Sequence, residues 1–164
     1  RLLSSAASDV YKRQYLIHED LQKNMQYNVG IIRTKKEIVD GISRIEKMKE
    51  EFKEVKAAGS SQFNPGWHEA LALRNLLISS EAVAKSALLR EESRGAHTRE
   101  DFPDENKDWL EYNIINRKGK DGKMETIKEM RGNPDSELKR IANSSIEELE
   151  NEVKKDHEKL MPKV

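Results

Sequence analysis

Residues 67–94, WHEALALRNLLISSEAVAKSALLREESR, contain neither proline nor glycine and place apolar side chains at 70, 71, 73, 76, 77, 78, 82, 83, 84, 87, 88 and 89. A surface helix shows one apolar stripe to its core. This set is too broad for one stripe, so the pattern predicts a central helix touched on several sides. Its start lies in Asn64 and Pro65: an asparagine suits the N-cap, and a proline at the first helical position loses no hydrogen bond. Gly95 is expected to end it.

On the N-terminal side, Leu16, Ile17, Leu21 and Met25 predict a short helix from Tyr15 that closes near Gly30. Thr34 with Glu37 three residues on is a capping-box signature. Ile38, Ile42, Ile45, Phe52 and Val55 then mark one face of a second helix, with Lys/Glu pairs on the other. Gly41 inside it costs about 1 kcal/mol of helix propensity against alanine, and close helix packing is the expected reason for it. On the C-terminal side, Leu110, Tyr112, Ile114 and Ile115 predict one strand of a hairpin, Asp121-Gly122 its turn, and Met124, Thr126 and Ile127 its return. RGNPD at 131–135 interrupts the pattern. Ser144/Glu147 and Ser145/Glu148 are alternative capping boxes for a final amphipathic helix seamed by Ile146, Leu149, Val153 and Leu160, which is expected to lie along a neighbour.

Bulk properties narrow the function classes. Lys+Arg and Asp+Glu each number 30, so the chain is formally neutral. Interspersed signs argue against a nucleic-acid binder or a polybasic membrane anchor. Charged residues make up 37% and aromatic residues 5%, which suits amphipathic helices over a modest aliphatic core. The absence of cysteine excludes disulfides and thiolate chemistry and is compatible with a reducing compartment. No apolar run approaches the roughly 20 residues of a membrane span. The glycines form neither G-x-G-x-x-G nor a P-loop. His18, His68, His97 and His157 have no metal-ligand spacing, so no metal site is expected. Serine never stands in G-x-S-x-G, and an independent enzyme is not expected from these residues.

One segment is chemically dense. REESRGAHTRED, residues 90–101, packs eight ionisable side chains into twelve positions. A solvated charge run is the plain reading of such a stretch. However, its cations are Arg90, Arg94, His97 and Arg99 with no lysine, a choice that favours planar, bidentate pairing at a protected interface. Arg90 and Arg94 are expected to sit in the last helical turn, against its negative dipole end. Ser93, Glu92 and Asp101 can satisfy orphan carbonyls or neighbouring guanidinium groups, and Gly95 would let another backbone approach.

ESRGAHTREDFP, residues 92–103, resembles the motif in the C-terminal region of succinate dehydrogenase and fumarate reductase flavoprotein subunits. LQKNMQYNVGIIR is similar to that family's L-Q-x-x-M…V-G-x-x-R opening, ALALRNLLISSEAVAKSALLREESRGAH to its central helix, and DWLEYN with the Asp121-Gly122 hairpin to the region after the motif. The resemblance spans about residues 16–130, with its core at Arg90–Pro103. It implies a mainly α fold, with a three-helix bundle over 15–103, then a β-hairpin and C-terminal amphipathic helix over 104–164. It implies that FAD, the dicarboxylate and the catalytic arginine belong to upstream FAD-binding and capping domains with no match here. In the family, electrons pass from the flavin to an iron–sulfur subunit and a membrane quinone. By that analogy Arg90, Glu92, Ser93, Arg94, Gly95, His97, Arg99 and Asp101 form an ionic joint near the FAD domain and the iron–sulfur subunit. The complex would lie on the inner face of the cytoplasmic membrane, held by anchor subunits.

Two alternatives stay open. L-aspartate oxidase carries a similar E-S-R-G-x-H run, though Arg99 and the length of chain after Pro103 favour the dehydrogenase/reductase branch. A free-standing helical interaction protein is the other. Residues 131–164 resemble the family's tail poorly. Finally, SSAASDVYKRQ, Ser4–Gln14, resembles a translated transposon adapter used in DNA library preparation, so residues 1–14 are set apart from the fold as a segment of foreign origin.

Overall fold

The computed structural model describes residues 2–57, 60 and 62–160, with side chains described from 13 to 155 within those ranges. The side chains of residues 4–12, His157 and Leu160, on which some of the expectations above fall, lie outside this description. The chain divides into two compact units after Met130.

The first unit begins with three helices, α1 (Leu2–Asn28), α2 (Lys35–Phe52) and α3 (Pro65–Leu89). Helix α1 starts well before Tyr15, because the alanine-containing stretch ahead of it continues the same turn geometry. Ile17, Leu21 and Val29 from the first helix and its end, Ile45 and Met48 from the second, and Leu73, Leu77 and Ala84 from the third form one buried cluster. The expected face of α2 is the buried one: Ile38 and Ile45 are fully enclosed. Thr34 and Glu37 make both halves of the capping box. Asn64 accepts from the Trp67 N–H, with Pro65 in the first turn.

Gly41 is needed for a close approach. A Cβ there would lie 3.0 Å from Asn28 Cβ and 3.0 Å from Val29 Cγ2. The buried Asn24 amide uses that proximity, donating to the Gly41 carbonyl at 2.9 Å. A buried Glu81 on α3, 3% exposed, ties the second and third helices by pairing with Lys49 at 2.5 Å and Lys85 at 2.7 Å. Burial pushes its carboxyl up, but the two ammonium groups outweigh that and hold it below the ordinary value.

Two short strands, β1 (Ile32–Arg33) and β2 (Thr98–Arg99), pair in parallel, Ile32 with Thr98 and Arg33 with Arg99. The hairpin strands β3 (Tyr112–Lys118) and β4 (Met124–Met130) pair antiparallel and pack on α3, with Asn116 bonded to Ser86 and Lys85 to the Met124 carbonyl. The hairpin therefore belongs to the same compact unit as the bundle. Leu110 is not in the strand; it lies in a 3-10 turn over Lys107–Glu111, capped by Asn106, which buries Trp109 instead. The loop spans Gly119–Lys123, longer than a two-residue Asp-Gly turn. Lys118 already pairs with Met124, and the Gly119 N–H closes on the Lys123 carbonyl at 2.8 Å. Gly122 supplies the positive φ, +80°.

In the second unit, α4 (Ser136–Asn143) has no counterpart among the sequence-based expectations. Asp135 caps it, taking the Glu137 N–H. Of the two alternative boxes ahead of α5 (Ile146–Leu160), Ser145 with Glu148 is the one made. Ser144 instead returns its hydroxyl to the Arg140 carbonyl. Arg140 holds Glu137 and Glu152, so it links the two helices of the unit.

Candidate functional site

The motif at 90–101 folds after α3, not within it. The helix ends at Leu89, and Arg90 is already extended (φ −81°, ψ 103°). Arg94 thus lies outside the last turn, a correction to the placement expected from sequence. Gly95 adopts φ +58° in a tight reversal closed by two backbone bonds between Arg94 and His97. Among the described residues, its chain neighbours aside, nothing lies within 4 Å of where its Cβ would be, and the left-handed backbone is what calls for glycine here.

Glu92 is fully buried. Its carboxylate accepts from Arg90 at 2.6 and 2.8 Å, from Arg94 at 3.0 to 3.3 Å, and from the Asn106 N–H at 2.9 Å. Burial alone would raise its pKa; the hydrogen bonds from Arg94, Asn106 and Arg90 reverse this and hold it at about 2. Arg94 also reaches Glu105 at 3.1 Å. Ser93 stitches the turn, its hydroxyl accepting from the Arg99 N–H at 2.8 Å and donating to the Phe102 carbonyl at 2.8 Å.

Arg99 is the centre of the arrangement and has no exposed surface. Its Nη1 donates to the carbonyls of Ala87, Leu88 and Arg90, the orphan acceptors at the end of α3. Its Nε and Nη2 grip Asp101 bidentately at 2.8 and 2.6 Å, and its guanidinium lies 5.0 Å from the centroid of the Phe102 ring. The hydrogen bond from Arg99 holds Asp101 at about 2. Asp101 also accepts the Lys35 N–H at 3.2 Å, so it meets the N-terminal end of α2.

Arg33, on β1, completes the set. Its Nη1 donates to the carbonyls of Val29 and Gly30 at the end of α1, and its Nη2 to His97 Nδ1 at 2.5 Å. An arginine can only donate, so His97 Nδ1 is the acceptor, and Nε2 carries the proton towards the Arg90 carbonyl at 3.1 Å. Burial, together with the charges of Arg33, Arg90 and Arg99, lowers the His97 pKa and keeps the ring neutral. Glu91 and Glu100 are exposed.

One polar network therefore locks three helix ends: the C-termini of α1 and α3 and the N-terminus of α2. All eight motif residues singled out by sequence fall within or directly beside it. Arg33, Glu105 and Asn106 belong to it as well, and sequence reasoning did not single them out. The V-G-x-x-R pattern held the signal for Arg33, but nothing local assigns it a partner 64 residues away. Among the described residues, no three His, Asp or Glu side chains converge as metal ligands, and no helix is long and apolar enough to cross a membrane.

The chain belongs to the succinate dehydrogenase/fumarate reductase flavoprotein family: the family model described as "Fumarate reductase flavoprotein C-term" matches residues 18–156. A fumarate reductase (CoM/CoB) subunit of Methanothermobacter marburgensis is 37% identical over 62% of this chain and 19% of its own length. The succinate dehydrogenase flavoprotein subunit of Coxiella burnetii is 35% identical over 63% of this chain and 18% of its own. Among solved structures, Mycobacterium smegmatis Sdh1 in complex with UQ1 superposes with a TM-score of 0.69 at 38% identity, over 73% of this chain and 20% of that one. The chain spans about a fifth of the length of these relatives.

Proposed function

We propose that this chain is the C-terminal part of an FAD-dependent flavoprotein subunit that interconverts succinate and fumarate in exchange with a quinone. The bundle supports upstream FAD-binding and capping domains and contacts an iron–sulfur subunit. Through that subunit it connects to membrane anchors at the inner face of the cytoplasmic membrane. The flavin is assigned to the part of the subunit outside these residues, in line with the family resemblance. The strand β1 leads into α2 through Thr34, whose side chain and Glu37 already close that helix end, so no pyrophosphate cradle stands there. No catalytic step is assigned to this chain.

The observation carrying this reading is that Arg90, Glu92, Arg94, His97, Arg99 and Asp101 are spent on one another, on Arg33, Glu105 and Asn106, and on helix-end carbonyls, while Glu91 and Glu100 stay exposed. Their work is to hold surfaces in place. In the full-length subunit, Arg94→Ala is expected to lower retained flavin and assembly with the iron–sulfur subunit while leaving the KM for succinate within about two-fold, a change worth under about 0.5 kcal/mol. Normal assembly with a KM raised ten-fold or more would overturn it. Assaying the same preparation with L-aspartate separates the aspartate oxidase alternative. Comparing a quinol with thiol cofactors as electron donors for fumarate reduction tests the redox partner, since one relative carries CoM/CoB in its name.

A further inference from the structure

Arg33 is the one cation of the joint whose hydrogen-bond partners among the described residues are all neutral: two carbonyls and the His97 ring. Its Nε is buried with no hydrogen-bond partner among the described residues. Arg90, Arg94 and Arg99 each have a carboxylate. A half-buried guanidinium without a counter-ion carries a desolvation cost that a carboxylate would offset. Burial and the nearby Arg99 both act against its charge.

Arg33, Arg90 and His97 line an open groove of about 510 Å³ together with Val83 of α3 and Tyr112 and Ile114 of β3. Asn113 joins Tyr112 and Ile114 in that lining. Successive strand residues point to opposite faces, so the groove meets β3 edge-on. Among the described residues β3 pairs with β4 alone, which leaves that edge a row of unsatisfied backbone donors and acceptors. A small anion would meet the charge of Arg33 but leave the strand edge and the apolar wall uncovered.

From the unmatched Arg33 and the open edge of β3 we infer that this groove receives an extended acidic segment of another polypeptide region, laid along β3 with an Asp or Glu carboxylate on Arg33. Strand addition supplies main-chain hydrogen bonds, the carboxylate supplies the register, and Val83 and Ile114 take the flanking apolar side chain. The inference stands on this geometry and not on the succinate/fumarate reading, so the two fail separately.

The test is amide chemical-shift mapping on the intact 164-residue chain with the probe peptide acetyl-Leu-Asp-Leu-amide. Saturable shifts are expected at Val83, His97 and Ile114. Binding should weaken at least ten-fold when the peptide's aspartate is replaced by asparagine. It should also be lost in Val83→Glu, which places an acid in the groove from a half-exposed helix position and spares the joint. Equal binding of both peptides, shifts confined to other surfaces, or unchanged binding by Val83→Glu would overturn the inference. So would inorganic phosphate binding as tightly as the peptide, the sign of an adventitious anion only.

Discussion

Glu92 shows how much one side chain can determine. It is wholly buried between Arg90 and Arg94, and the Asn106 N–H completes its shell. Removing one partner of such a pair strands the others, at a cost of about 3–5 kcal/mol. Glu92→Gln should therefore lower the urea-unfolding free energy by that amount at pH 7. A carboxylate depressed from 4.5 to about 2 contributes stability that is complete above 4.5 and lost as pH falls towards 2. The gap between the wild type and Glu92→Gln should accordingly shrink across that window; a constant gap would show that the carboxylate's charge is not what matters. His97 behaves in the same direction, because its folded pKa lies below 6.5. Its contribution is full above 6.5 and declines as pH falls, since protonation removes the acceptor that Arg33 uses. Melting curves from about pH 8 to about pH 5 should slope less in His97→Gln than in the wild type.

Elements follow local rules wherever their signals are local. The capping boxes at Thr34 and Ser145, the Asn64–Pro65 start and the two hairpin strands are legible because each depends on residues a few positions apart. Where a remote partner decides, local reading fails. Helix α3 stops at Leu89, well ahead of Gly95, because Arg99 takes its last carbonyls from across the turn. Leu110 leaves the strand because Trp109 is buried in a 3-10 turn. The helix contact at Gly41 offers a test at this scale. Alanine would gain helix propensity but press on Asn28 and Val29. Overpacking costs typically about 1–3 kcal/mol, so Gly41→Ala should be net destabilising by about 1 kcal/mol in urea titrations.

At the scale of the molecule, the compact unit ends at Met130. Truncation after that residue should leave the thermal transition of the bundle and hairpin in place; its collapse would show that 131–164 contributes to that core. Deletion of residues 1–14 tests the adapter reading in the same assay. Gln14 is buried with an amide nitrogen that has no partner, a poor use of that position, so the deletion should not destabilise the bundle. The three helices, the hairpin, most caps and, through residues 92–103, the family are legible in the order of residues alone, because periodicity, caps and motifs are properties of neighbouring residues. Folding in three dimensions adds that the dense motif is a lock on three helix ends, that Glu81 is a buried bridge, and that Arg33 faces His97 with no carboxylate partner among the described residues. Those facts depend on which distant groups burial brings together, and a buried charge is defined by its partners in space.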